Sequence, residues 1–253
     1  MGILEGKSAM LTGTSSGIGR AIAIRFGEEG ANVVLASRRA DEDEETARLV
    51  RKAGAEAVVV TTDITDPDQV QRALDETISG FGGIDCAVNN AAMVGEPATT
   101  ASQSIEQWRR VVDTNLTGTW LCMRAQLNAM LAAGKGGSIV NTASAGGLVA
   151  APTMPAYSAS KAGIMGITRT AAIEFAKERI RVNAICPGPT ETPMTLAMAE
   201  AGGPSAADMA QFIPLGRTAT VKEQASAAVY LSSDDAGFIT GIALPVDGGM
   251  AAG

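Results

Sequence analysis

Tyr157 and Lys161 stand four residues apart in Tyr-Ser-Ala-Ser-Lys, inside a stretch whose composition suits a helix. Four residues is just over one helical turn, so phenol and ammonium leave the same face. A free tyrosine titrates near pH ~10 and exchanges protons poorly at neutrality. A lysine cation beside it favours the phenolate and brings it toward the range useful for general acid–base work. Such spacing is common on helix surfaces, so the surroundings must decide what the pair means. The chain has no histidine at all. That removes Ser-His-Asp and Cys-His nucleophilic catalysis, and histidine-ligated metals, in one observation. The three cysteines, Cys86, Cys122 and Cys186, offer neither a pairing framework nor metal-ligand spacing. They read as small core residues in a reducing cytoplasm.

A second chemistry lies near the N-terminus. Thr12-Gly13-Thr14-Ser15-Ser16-Gly17-Ile18-Gly19 places three glycines between a predicted strand and a predicted helix. Glycine allows a tight turn and lets the backbone approach a pyrophosphate with no Cβ in the way. The helix N-terminus adds unpaired N–H groups and its positive dipole end. The spacing is G-x-x-x-G-x-G, a variant of the dinucleotide-binding fingerprint. About 20 residues on, NAD-binding domains place an acid on the adenosine ribose. Here that region reads Ser37-Arg38-Arg39, with no carboxylate before Asp41. An arginine there pairs with a 2′-phosphate that an acid would repel, which favours NADP(H) and leaves NAD(H) as the alternative. The glycine turn itself contributes no basic side chain.

The elements that must hold these residues alternate along the chain. Strands are expected at Lys7–Thr12, Asn32–Ser37, Ala57–Thr62, Ile84–Asn89, Ser138–Thr142, Arg181–Ile185 and Ala243–Val246. Between them fall helices at Gly17–Glu29, Asp41–Ala53, from Asp66-Pro67, at Ile105–Asn115, at Gly118–Ala133, around Tyr157 to Lys177, and at Val221–Ser232. Such alternation predicts an α/β fold, one doubly wound parallel sheet of about seven strands covered on both faces. A core with 46% hydrophobic but only 4% aromatic residues suits helices laid closely on such a sheet. No linker or repeat interrupts the 253 residues, so the chain reads as one domain (1–253). Its cofactor half is about 1–140 and its catalytic and substrate half about 141–253. A net charge of −7 without a basic run argues against nucleic acid and anionic membrane surfaces. No apolar run of about 18 residues is long enough to span a membrane, and no signal peptide is visible; a cytoplasmic location is expected.

Taken together the motifs resemble the short-chain dehydrogenase/reductase family from about Gly6 to Gly249. They occur in that family's order: the Thr12–Gly19 turn, Asn89-Asn90-Ala91-Ala92, Asn115, Ser144, Tyr157 with Lys161, Pro187-Gly188, and Val246-Asp247-Gly248-Gly249. The resemblance implies a single-domain Rossmann fold and roles for these residues. Tyr157 would be the general acid in carbonyl reduction and the base in alcohol oxidation. Lys161 would lower its pKa and bond the nicotinamide ribose. Ser144 would hold the substrate oxygen, and Asn115 would bind a water that completes a proton path from Lys161. The cofactor would touch Gly13, Ser15, Ser16, Gly17, Ile18, Gly19, Ser37, Arg38, Asp63, Ile64, Asn90, Ala91, Tyr157, Lys161, Pro187, Gly188, Thr190 and Thr192. Two positions depart from the family pattern: Ala92 stands where glycine is usual, and Thr190 where Val or Ile is common.

The substrate side is thinner. Thr192–Pro214 carries Met194, Met198, Met209 and Phe212 beside Gly202-Gly203-Pro204. It reads either as a lid with adaptable methionines or as a helix pair packing them into the core. By family analogy Met93, Gly95, Met154 and Ala145–Leu148 would line the pocket. Few charges occur there, which favours a neutral small-molecule ketone or secondary alcohol. The resemblance also implies a homotetramer or homodimer paired through Gly118–Ala133 and Pro155–Lys177.

Overall fold

A computed structural model describes residues 2–200 and 202–252 of the protein; the side chain of Met198 lies outside the described residues. Seven strands form one parallel sheet: β1 (Ser8–Thr12), β2 (Asn32–Ser37), β3 (Ala57–Thr61), β4 (Cys86–Asn89), β5 (Gly137–Thr142), β6 (Ile180–Pro187) and β7 (Ala243–Val246). Their order across the sheet is β3-β2-β1-β4-β5-β6-β7. Strand order therefore reverses between β1 and β4, the place where open α/β sheets bind ligands beyond the strand C-termini.

Helices cover both faces because the central strands bury both of theirs. Along β1, Ala9 and Leu11 point into one core with Leu35, Val88 and Ile185. That core is closed by Ile22 and Phe26 of α1 (Gly17–Glu28), Val50 of α2 (Ala40–Lys52) and Val229 of α9 (Val221–Ser232). Met10, between them, points to the other core, where Ile139 and Val182 also lie. There it meets α3 (Pro67–Phe81), α5 (Gly118–Ala133) and α6 (Pro155–Phe175), through Leu74, Met130 and Ala171. The period of two along the strand, with both sets apolar, makes the doubly covered sheet.

Local signals set the element ends. Asp66 caps α3, accepting the N–H groups of Asp68 and Gln69, with Pro67 at the first turn. The expected helices at Ile105–Asn115 and Gly118–Ala133 prove continuous: α4 (Ile105–Val112) runs through a π-helical turn at Asp113–Thr117 into α5. The segment after Thr192 contains two short helices, α7 (Pro193–Glu200) and α8 (Ala206–Ala210). Among the described side chains, Met194 (48%) and Leu196 (60%) of α7 and Phe212 (75%), just beyond α8, stand in solvent rather than in the core. The expectation of a core-packing helix pair is thus corrected.

Candidate active site

A cavity of about 440 Å³ runs along the C-terminal ends of the strands. One end is framed by Ser37, Arg38, Arg39 and Asp63, the middle by the Gly13–Ile18 turn with Asn90 and Ala91, and the far end by Ser144, Tyr157, Lys161, Pro187 and Gly188. Ile64, Thr190 and Thr192 also line it. Of the catalytic and cofactor-binding residues expected from the sequence, two lie outside. Gly19 is buried beneath the turn, and Asn115 is buried behind the wall.

The turn is held from below. The Thr12 hydroxyl accepts the N–H groups of Asn90 (3.0 Å) and Ala91 (3.2 Å), and the Asn90 amide donates to the Gly13 carbonyl (3.2 Å). Gly13 has φ +69°, and a Cβ there would sit 2.6 Å from Ala91 Cα, so β4 and the turn approach only because this residue has none. The first turn of α1 carries no capping side-chain bond and no acid, leaving its N–H groups and dipole directed at the cavity. Ala92 does not have the left-handed backbone that would demand glycine, which explains the tolerated departure there.

At the strand end the arginines divide. Arg39 lies back over the turn, donating to the hydroxyls of Ser15 (2.7 Å) and Ser16 (2.8 Å). The turn therefore does receive a basic side chain, delivered from after β2. Arg38 is exposed, with no side-chain partner among the described residues. Asp63 also makes a local turn, its carboxylate accepting from the Thr65 N–H and hydroxyl.

At the other end, Ser144 follows β5 and its Oγ accepts the N–H of Gly146 (3.1 Å), which leaves its own proton to donate. α6 presents Tyr157 and Lys161 on one face, with Lys161 Nζ 5.6 Å from the tyrosine ring centroid. The Lys161 side chain is buried and donates to the Thr142 carbonyl (2.8 Å). Burial pulls its pKa down to about 8, with the Cys186 thiol opposing. Burial pushes the Tyr157 phenol above its ordinary value, and a hydrogen bond with Ser144 opposes that rise. The expected lowering of Tyr157 by Lys161 is not seen: burial dominates, and Ser144 rather than Lys161 is the group that opposes it. Asn115 sits in the π-helical turn and ties the Met93 backbone through both amide atoms (2.8 Å each) while donating to Ser160 Oγ (3.1 Å). Its own carbonyl accepts the Thr119 hydroxyl (2.7 Å), and no direct contact with Lys161 occurs.

Known proteins place this arrangement. The family model described as Enoyl-(Acyl carrier protein) reductase matches residues 13–251. The chain is 40% identical, over the full length of both, to 2,5-dichloro-2,5-cyclohexadiene-1,4-diol dehydrogenase of Sphingobium indicum. It is 41% identical to 3beta-hydroxysteroid dehydrogenase 1 of Eggerthella lenta, covering 98% of this chain and 94% of that one. The chain belongs to the short-chain dehydrogenase/reductase family. Among solved structures of similar fold are carveol dehydrogenase from Mycobacterium avium in complex with NAD (TM-score 0.95, 29% identity, all of both chains) and a putative 2-deoxy-d-gluconate 3-dehydrogenase from Agrobacterium tumefaciens with bound NADP (TM-score 0.88, 37% identity, 99% and 98%). As a short-chain dehydrogenase/reductase, the protein is an oxidoreductase of CH–OH and C=O groups that works with a nicotinamide cofactor.

The residues present fit that cofactor. The turn would supply N–H donors to a pyrophosphate, and the cavity continues to Tyr157 and Ser144 without a carboxylate at that end. Sequence reasoning missed three parts. Arg39's reach back to the turn depends on where α2 starts, which spacing does not reveal. Buried Asp43 in the first turn of α2 accepts the hydroxyls of Ser37 and of Thr14 (2.7 Å for the latter), a contact made only after folding. Gln224 of α9 donates to Thr190 Oγ1 (3.1 Å) and the Val246 carbonyl (2.8 Å), so the Thr190 hydroxyl is taken up internally. Of the pocket residues expected by analogy, Met154, Ala145 and Gly146 line the cavity, as do Met194 and Met209 of the 192–214 segment. Met93, held by Asn115, and Gly95, Gly147 and Leu148 do not, and neither does Phe212 of the 192–214 segment, which is 75% exposed. The thiols of Cys86 and Cys122 are pushed up to about 12 and that of Cys186 to about 11 by burial, which makes them inert. Among the described residues no cluster resembles a metal site, and no helix is long and apolar enough to cross a membrane.

Proposed function

We propose that this protein catalyses reversible hydride transfer between NADP(H) and a neutral ketone or secondary alcohol. The observation that carries the reading is the convergence of Ser144, Tyr157 and Lys161 in the same cavity as the glycine turn. When bound, the nicotinamide supplies or accepts the hydride. Tyr157 gives its proton to the carbonyl oxygen in reduction and takes it from the hydroxyl in oxidation. Ser144, its lone pair engaged by Gly146, donates to the same oxygen and fixes its position. Lys161 holds a cation beside the phenolate as it forms, and bonds the ribose. Asn115 shapes the wall beside Met93 and supports proton exchange through the π-helical turn rather than by touching Lys161. Thr190 and Thr192 border the cofactor chiefly through backbone, since their hydroxyls bond Gly188 and Thr195.

Ala92, Val94, Met154, Met194 and Met209 make the substrate end mostly apolar, and the relatives named for a cyclohexadiene diol and a hydroxysteroid support a ring-borne hydroxyl. The 1–140 and 141–253 halves then supply cofactor and substrate walls of one domain. Exposed Trp108, Trp120 and Ile173 on α4, α5 and α6 support assembly as a homodimer or homotetramer, and the composition suits a cytoplasmic protein. NADP(H) is favoured over NAD(H) by Arg38 at the cavity rim. A panel of cyclic alcohols and ketones, followed by nicotinamide absorbance with each cofactor, tests the reading. Arg38→Asp is expected to shift the kcat/KM ratio toward NAD(H) by about tenfold to a hundredfold; an unchanged ratio removes Arg38 from cofactor choice.

A further inference from the structure

Ser37 ends β2 and faces the cavity, but its hydroxyl proton is not available there. It is donated inward to Asp43 Oδ2, while Thr14 Oγ1 donates to Oδ1 of the same carboxylate (2.7 Å). Asp43 is fully buried and does not reach the cavity itself. A serine hydroxyl has one proton and two lone pairs, so Ser37 so engaged shows the cavity only an acceptor. An acceptor suits a ribose hydroxyl, which can donate; it offers nothing to a phosphate oxygen, which cannot. The arginines have the opposite preference, and Arg39 is already committed to Ser15 and Ser16.

We propose that Asp43 is a positioning residue for cofactor choice, holding Ser37 as an acceptor for the adenosine ribose hydroxyl of NAD(H) and so offsetting the preference of Arg38 for a 2′-phosphate. The carboxylate that the strand end lacks is thus supplied from the first turn of α2, through one hydroxyl. The protein is accordingly built to take both nicotinamide cofactors. The inference rests on the nicotinamide reading above and adds to it a residue outside the cavity. Burial raises the pKa of Asp43, while the two hydroxyls and nearby Arg39 and Arg20 oppose that rise.

The test is calorimetric titration of the full chain with 5′-AMP and with adenosine 2′,5′-bisphosphate, neither of which needs catalysis. Asp43→Asn keeps the shape but brings an amide N–H against one of the two hydroxyls, which must then turn. The affinity ratio is expected to move about tenfold toward the bisphosphate, the scale of one hydrogen bond gained or lost. Ser37→Ala, which leaves Asp43 bonded to Thr14, is expected to weaken 5′-AMP about fivefold and to leave the bisphosphate within about twofold. In the Ser37→Ala background, Asp43→Asn is expected to change the ratio no further. A purely structural Asp43 would weaken both nucleotides equally in the single variant, and that result overturns the proposal, as does a full Asp43→Asn effect in the absence of Ser37. Should Asp43→Asn not fold, equal weakening of both nucleotides by Ser37→Ala overturns it alone. A wild-type chain that binds neither nucleotide overturns the cofactor reading itself, and this inference with it.

Discussion

At the adenosine end of the cavity almost every polar side chain has a named partner, whereas the helices flanking the substrate end leave apolar side chains in solvent. Around the glycine turn, Thr12, Thr14, Ser37, Arg39, Asp43 and Asn90 are all bonded to one another or to the turn. In the 192–214 segment, Met194, Leu196 and Phe212 are 48, 60 and 75% exposed. On the proposed function, the contrast separates a cofactor cradle that is rigid beforehand from a substrate wall that can adapt. Tyr157 stands between them, and its removal is the largest expected loss. Tyr157→Phe is expected to lower kcat about 10³-fold with nucleotide affinity changed far less, because the loss falls mainly on proton transfer. Since burial holds the phenol above its ordinary value, the acid form prevails at neutrality in the free enzyme. Alcohol oxidation is therefore expected to rise with pH into the alkaline range, while carbonyl reduction holds and then falls. A variant as active as wild type would remove Tyr157 from the chemistry.

Rigidity of the cradle can be tested at a residue that touches no ligand. A Cβ on Gly19 would run into the Gly13 carbonyl and the Asn90 amide. Backbone cannot yield as a side-chain tip can, so the turn itself must move. Gly19→Ala is expected to weaken NADP+ binding about a hundredfold by titration calorimetry, with kcat at saturation changed far less. An equal loss in kcat would mean that the two ends are mechanically coupled and the contrast false.

The legibility of the sequence follows the same division. The seven strands were readable from apolar runs bounded by turn residues, and the glycine turn from backbone needs that only glycine meets. That Tyr157 and Lys161 share one helix face was readable from helix periodicity, whereas Ser144 was singled out by family resemblance; all three line the cavity. Asp43 was not, since its meaning arises when α2 folds its first turn against Ser37 and Thr14. The π-helical turn at Asp113–Thr117 was missed because one extra residue per turn leaves the apolar pattern almost intact. The direction in which Tyr157 titrates differs from the expectation for a related reason: spacing shows the lysine but not the depth at which the phenol is buried.

That burial has a cost to the fold, smaller than the catalytic effects. Lys161 is pulled to about 8 from 10.5 because its charged form is poorly solvated. A folded-state pKa below the unfolded value means the unfolded chain binds more protons between the two. Stability is thus reduced in full below about 8 and recovers as pH climbs toward 10.5. The shift is worth about 3 kcal/mol, less about 1 kcal/mol for the bond to the Thr142 carbonyl that a substitution forfeits. Lys161→Met is expected to be more stable than wild type by about 2 kcal/mol at neutral pH while losing activity. The denaturation midpoints should converge toward pH 10.5; a gap independent of pH would assign the gain to packing instead.

The smallest effects belong to the segment whose apolar side chains stand in solvent. Met194 and Met209 line the cavity, yet Met194 is half exposed, so truncation removes little buried area and leaves no cavity for the core to collapse around. Met194→Ala is expected to raise KM for a ring-borne alcohol about threefold, with nucleotide affinity and denaturation midpoint unchanged. Phe212→Ser, directed away from the cavity, should leave both KM and kcat as they are. If Phe212→Ser instead raises KM as much as Met194→Ala does, the segment closes inward during turnover, and its solvent-facing apolar surface belongs to the ligand-free state alone. The adaptable wall would then be a lid, and the contrast with the cradle would be one of motion as well as packing.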